Sequence, residues 1–252
     1  MYLNQAQTSD SAICKYRASL LSSSPNHIVI DHLFDSVKLD DVIRVLYQAK
    51  YWQTQKHTYS ALYVDNAQWL SASKDERFVS RDVWQREALK SDTDNANVAQ
   101  EFLSFLRGHE FMCLLSRIFD VPLTDVNVAK PEINTNYFRL SATDFVHQHA
   151  DDSPGRVVCM LLYLNKEWSK NAGGELMFMG NDDEPISIAP IYNRCVLFDP
   201  FSKGSEHWVN AVTSDAGYLY SYNVTRWYWS ELRRPRYNTH YSDHSPTGSL
   251  SS

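Results

Sequence analysis

The sequence predicts a mostly β chain with flanking helices (α+β), its core a double-stranded β-helix, or jelly roll. Three observations lead there. After Pro131 the chain becomes a succession of short apolar or alternating runs cut by turn residues, continuing to about residue 230. No pair of runs is separated by enough residues for a helical crossover, so the strands must pair antiparallel. Helical periodicity is confined to the region before residue 120, which makes the helices a buttress for the sheet.

The elements follow in order. Residues 1–26 are polar and Ser-rich, ending in SSSPN, and are expected to form a flexible N-terminal arm. HIVID (27–31) reads as a strand. Asp35 or Ser36 can cap a helix whose stripe is Leu39, Val42, Ile43 and Leu46. Two more helices carry Val98, Phe102, Phe105 and Leu106, then Met112, Leu115, Ile118 and Phe119, with Gly108 between them. Residues 53–94 are polar and punctuated by aromatics, which suits a substrate loop at a barrel mouth. The strand series is NTNYFRL, DFVHQHA, RVVCMLLYL, ELMFM, ISIA, NRCVLF, HWVNAV and YLYSYNVTRWYW, and Gly173 and Gly174 serve a tight turn. The expected organisation is thus an arm (1–26), a helical support and substrate-loop region (27–131), the core (132–235) and a disordered tail (236–252), making one globular domain.

Composition excludes several classes of function. The chain has 252 residues and a formal charge of −6, which disfavours a nucleic-acid partner. No apolar run is long enough to span a membrane, and the N-terminus lacks the pattern of a secretory signal. The four cysteines are scattered and show no CxxC pairing, as in a reduced, cytoplasmic protein. The sequence leaves oligomeric state open.

The chemistry concentrates in DFVHQHADD (144–152). On a strand alternate side chains share a face, which sets His147, His149 and Asp151 together. An imidazole and a carboxylate two residues apart can grip one cation, and a second histidine from elsewhere completes a 2-His-1-carboxylate triad with open positions. His207, at the start of a strand after a Gly/Ser loop, is the candidate for that ligand.

In order, HxD, RVVCMLLYLN, GGEL, NRCVLF, EHWVNAV and YNVTRWYW resemble the non-haem Fe(II)/2-oxoglutarate-dependent dioxygenases, and among them the prolyl-hydroxylase-like group. The resemblance covers residues 132–230. It implies Fe(II), 2-oxoglutarate and O2 as cofactor and cosubstrates, with His149, Asp151 and His207 as the metal ligands. The implied reaction hydroxylates a C–H bond, most simply a prolyl residue of a protein or a free amino acid or small molecule, with succinate and CO2 as coproducts. His147 has no counterpart in the motif and is assigned to substrate binding in the pocket.

The chain departs from the pattern at one position. The family anchors the far carboxylate of 2-oxoglutarate with a cation soon after the second histidine, and alignment by the aromatics puts Ser221 there. Arg226, on the same strand, and Arg139, on the strand leading into HxD with the parity of His149, are the replacements expected, with Arg194 and Arg156 behind them. The Tyr163 hydroxyl is expected to assist. Two other readings stay open: a jelly-roll module that only binds a ligand, and a zinc hydrolase using the same triad. The partner expected is a protein, peptide or small-molecule substrate, without nucleic acid or membrane.

Overall fold

The computed structural model describes residues 1–86, 97–125, 134–181, 184–213 and 220–231. Its helices are α1 (Asp10–Ser22), α2 (Ser36–Leu46), α3 (Asn66–Ser71), α4 (Asn97–Leu106) and α5 (His109–Phe119). Its strands are β1 (His27–Asp31), β2 (Trp52–Thr58), β3 (Arg77–Trp84), β4 (Thr135–Leu140), β5 (Phe145–His149), β6 (Arg156–Tyr163), β7 (Leu176–Phe178), β8 (Ile186–Ile188), β9 (Arg194–Phe198), β10 (His207–Val209) and β11 (Ser221–Trp229).

The strands make one curled sheet in the order β1-β9-β6-β11-β4-β3-β5-β10-β7-β8, with β2 beside β3. Every strand pair in it is antiparallel. The alternation of β6 and β11 gives the sheet two apolar faces. Met160, Leu162, Val224 and Tyr228 turn outward and bury against Leu39, Phe102, Phe111 and Leu115 of the helices. Leu161, Tyr163, Leu176, Phe178, Val196 and Phe198 turn inward and line the barrel. Burying a side chain of this size contributes about 1.5–3 kcal/mol, so the helices stabilise the barrel strands from outside.

The helices form where their stripes and caps predict. Asp35 caps α2 by accepting from the Lys38 amide at 3.0 Å, and Leu39, Val42, Ile43 and Leu46 are buried. The N-terminal arm is a correction. Ser9 caps α1, and Ile13 and Leu20, two turns apart, are buried on a helix that packs along α5. The serines at its ends obscured a short stripe of apolar residues. The support region also contains more strand than expected. β1 extends the β9 edge, and β3 pairs in succession with β5 and β4, linking the two halves of the barrel. The segment 236–252 and part of 53–94 lie outside the described residues. Among those described, no helix is long and apolar enough to cross a membrane.

Candidate active site

β5 and β10 bring the three sequence-predicted ligands together. His149 and His207 face each other as a cross-strand pair, their ring centroids 4.3 Å apart. The His207 Nε2 is 3.7 Å from the Asp151 Oδ2. One donor atom from each of His149, Asp151 and His207 lies within 4.8 Å of the others, the one such group among the described residues.

The backbone sets both imidazoles. His149 Nδ1 is 2.9 Å from the His147 carbonyl, and His207 Nδ1 is 3.0 Å from the Ser205 carbonyl. A carbonyl only accepts, so each Nδ1 carries the proton and each Nε2 presents its lone pair to the cluster. Burial, reinforced by the neighbouring His149, lowers the pKa of His207 to about 4, so it is neutral at physiological pH. Burial by itself would raise that of Asp151. The two imidazoles, Arg156 and the Trp227 indole outweigh it and hold it at about 2. Two imidazole nitrogens and one carboxylate suit a divalent iron with open coordination positions.

Asp151 is itself held by Arg156, expected only as a lesser candidate for the cosubstrate anchor, and by Trp227, which the sequence did not single out. Arg156 donates to its carboxylate and to its carbonyl, both at 2.8 Å, and the Trp227 indole N–H donates to its other oxygen at 2.7 Å. The Arg156 guanidinium also lies over the Trp227 ring at 4.9 Å. An arginine five residues beyond Asp151, across the DSPG turn, was the available signal.

Two expectations fail for one reason. His207 pairs with His149 but Val209 pairs with Val146, so β5 carries one residue more than β10 between those pairs. This bulge reverses the alternation. Val146 and His149 share the inner face, whereas His147 turns out, exposed and stacked on Phe145. His147 therefore serves the site through its carbonyl rather than as a pocket residue. The same reversal removes Arg139, whose parity with His149 no longer means a shared face. Arg139 is buried on the outer face, paired with Asp82 at 2.9 Å and packed over Trp52 and Tyr220.

Arg226 does not line the pocket either. It alternates with Val224 and Tyr228 on the helix-covered face, fully buried, bonded to Thr135 and paired with Asp125 at 3.0 Å. Arg194 forms a two-pronged pair with Asp31 at 2.7 and 2.9 Å. Ser221 is buried beside Gly174 and accepts from Asn165 at 3.2 Å. Gly173, at φ +71°, lies so close to the Ala211 carbonyl that a Cβ would stand 1.9 Å from it, so this turn admits only glycine. It seats β7 beside β10.

Tyr163 stands where expected, on the inner face. Its hydroxyl is buried with no hydrogen-bond partner among the described residues, and burial raises its pKa, so it stays a protonated donor. An orphaned buried hydroxyl in an interior lined by apolar residues is the mark of a polar ligand's contact. The β2–β3 connection stands over the mouth. The Tyr59 hydroxyl donates to the Gln148 carbonyl at 2.9 Å, and Leu62 and Tyr63 are exposed.

Residues 135–229 match the model of the 2OG-Fe(II) oxygenase superfamily. The match runs from β4 to β11 of the barrel. The segment is thus similar to the 2-oxoglutarate- and Fe(II)-dependent oxygenases. The chain is 32% identical over 166 residues to prolyl 3-hydroxylase OGFOD1 of Xenopus laevis, covering 62% of this chain and 30% of that protein. The Mus musculus protein of that name is 28% identical over 149 residues, covering 53% of this chain and 26% of that one. The chain thus spans less than a third of the length of these curated relatives. Among solved structures it resembles a prolyl hydroxylase from Trichoplax adhaerens in complex with a peptide of the hypoxia-inducible factor oxygen degradation domain. That likeness has a TM-score of 0.64 and 19% identity, and covers 90% of this chain and 93% of that one. A Pseudomonas putida prolyl-4-hydroxylase gives a TM-score of 0.56 and 15% identity, over 86% and 98% of the two chains. These likenesses establish the jelly-roll fold.

Proposed function

We propose that the chain is an Fe(II)- and 2-oxoglutarate-dependent hydroxylase acting on a prolyl residue of a protein. The observation that carries the reading is the His149–Asp151–His207 cluster on the inner face of an oxygenase-like barrel, both imidazoles turned to offer Nε2. The prolyl substrate rests on the relatives, which are prolyl 3-hydroxylases.

In this reading His149, Asp151 and His207 hold the iron. Arg156 and Trp227 fix the carboxylate so that it meets the metal in one orientation, as residues behind a metal ligand commonly do. Bound iron supplies the oxidation: one oxygen atom of O2 enters the substrate C–H bond, and the other converts 2-oxoglutarate to succinate and CO2. Leu176, Ile188, Val196 and Phe198 keep the interior apolar and exclude water, and the Tyr163 hydroxyl donates to the cosubstrate. The β2–β3 connection, with exposed Tyr59, Leu62 and Tyr63, offers an apolar rim for a peptide.

The test is succinate release from 2-oxoglutarate with Fe(II) across a panel of proline-containing proteins and peptides, with mass spectrometry of the products. The expected outcome is prolyl-dependent succinate and one added oxygen on a proline. Succinate stimulated only by free amino acids or other small molecules would replace the protein substrate. No 2-oxoglutarate turnover with any of them, but metal-dependent hydrolysis, would replace the oxygenase by a hydrolase.

A further inference from the structure

The position at which this family carries its carboxylate-binding cation holds Ser221, and the arginines expected to replace it are committed elsewhere. We propose that Arg81, on β3, supplies the missing charge and binds the far carboxylate of 2-oxoglutarate from two strands away. The inference rests on the hydroxylase reading above.

Three observations carry it. The first is the face. β3 pairs Val79 with Val146 and Val83 with Phe138; Val79 and Val146 pack with Leu140, and Phe138, two residues before Leu140 on β4, shares its face by alternation. Arg81, midway between Val79 and Val83, shares their face by alternation. Its guanidinium lies over the inner side of Phe138, 3.5 Å from the ring centroid.

The second is the row. The pairs Asp82–Arg139 and Val83–Phe138 set the β3–β4 register, and one further step sets Arg81 opposite Leu140. Leu140 pairs in turn with Ser221 on β11. Arg81 therefore occupies the cross-strand row of Ser221, displaced by two strand spacings, or about 10 Å. That is a span a long arginine side chain on one wall and a dicarboxylate in the interior can share. Tyr163, with its orphaned hydroxyl, pairs with Asn223, the next inward residue on β11 after Ser221. The guanidinium and the phenol thus flank one stretch of the pocket.

The third is the charge. Arg139, Arg156, Arg194 and Arg226 each have a carboxylate partner. Arg81 makes no ion pair among the described residues, and the carboxylate whose charge reaches it is that of Asp151. Arg81 has the Phe138 ring and a 3.4 Å contact from its Nε to Gln55 Oε1. Burial lowers its pKa to about 10, which leaves it charged at physiological pH. A half-buried charge without an ion-pair partner is costly, and a guanidinium offers a planar fork that matches a carboxylate. A dicarboxylate cosubstrate would supply the partner the fold omits.

The test measures binding rather than turnover. The Fe(II)-loaded protein is dialysed to equilibrium without oxygen against labelled 2-oxoglutarate. In parallel it is dialysed against 2-oxobutanoate, which keeps the metal-binding end but lacks the far carboxylate. The wild type should prefer the dicarboxylate. Arg81→Gln should weaken 2-oxoglutarate at least about tenfold, leave 2-oxobutanoate and iron content unchanged, and so lose the preference. Arg81→Lys, which keeps a charge without the fork, should recover part of the preference and guards against an effect of misfolding. An Arg81→Gln protein that still prefers the dicarboxylate would overturn the inference. So would one whose only defect is a higher KM for the protein substrate, since Arg81 would then bind that substrate instead. A wild type that binds no 2-oxoglutarate would overturn the hydroxylase reading and this inference with it.

Discussion

On the helix-covered face of the barrel, Arg226 is closed against Asp125 and Arg139 against Asp82. On the inner face, Arg81 lies over Phe138 with no ion pair among the described residues, and the Tyr163 hydroxyl is buried without an acceptor. The two faces bury polar groups under different rules. Outside, each charge finds its complement within the chain, and the pair is part of the structure. Inside, the complements are incomplete, and the groups left over outline a ligand. The position of a cation on the right strand is therefore poorer evidence for a binding role than the absence of an internal partner.

The most severe way to break the comparison is to remove the inner-face ligands. His149→Ala, Asp151→Ala and His207→Ala should each abolish iron binding and turnover, whereas His147→Ala, beyond the β5 bulge, should keep its iron. Metal content after anaerobic reconstitution checks this, and the reverse pattern at His147 and His149 would invert the assigned face. Next in size is Arg226→Ala, which takes from Asp125 one of its two arginine partners, leaving Arg107, and removes a fully buried partner of Thr135. Breaking a buried pair outright costs about 3–5 kcal/mol, and Arg107 beside Asp125 holds the loss below that. Urea denaturation should register that loss, while 2-oxoglutarate affinity of the folded protein stays as it was.

A smaller effect is expected where the metal ligand is held from behind. Trp227→Phe keeps the packing but deletes the donor to Asp151. Iron affinity should fall about 10–100-fold, measured by competition with a chelator, with little change in thermal stability.

The smallest effect is in pH dependence. Burial, with Arg81 and His149 nearby, lowers the pKa of His57 from 6.5 to about 4. Its Nδ1 accepts from the Tyr63 amide at 2.8 Å, so the native state wants it neutral. Below pH 6.5 the unfolded chain takes up this proton and the folded one does not. The stability His57 contributes is therefore present above pH 6.5 and is lost progressively as pH falls toward 4. Urea midpoints at pH 7 and pH 5 should converge partly in His57→Gln. An unchanged difference would place the acid sensitivity on other groups.

Much of this molecule is written in local pattern. The stripe Leu39, Val42, Ile43 and Leu46 with Asp35 ahead of it makes α2 wherever the chain goes, and the alternating runs after residue 134 make strands that can only pair antiparallel. The order HxD, GGEL, then a late histidine was enough to assemble His149, Asp151 and His207. Residues 10–22 were misread because two buried positions two turns apart, Ile13 and Leu20, are a weak signal among serines.

Which face a side chain occupies was decided elsewhere. Alternation carries parity along a strand only while its register holds, and a bulge is a property of two strands together. The single extra residue of β5 opposite β10 exposed His147, turned His149 inward and removed the case for Arg139. Arg81 left no trace in the sequence near HxD, because it arrives on a strand more than sixty residues earlier, inserted between β4 and β5. The sequence by itself determined β1, the strands β4 to β11, the helices α2, α4 and α5 and the candidate cluster His149, Asp151 and His207, since these depend on neighbours in the chain. Only the tertiary structure decided which buried charges have partners, because a partner is chosen by pairing and packing across the sheet.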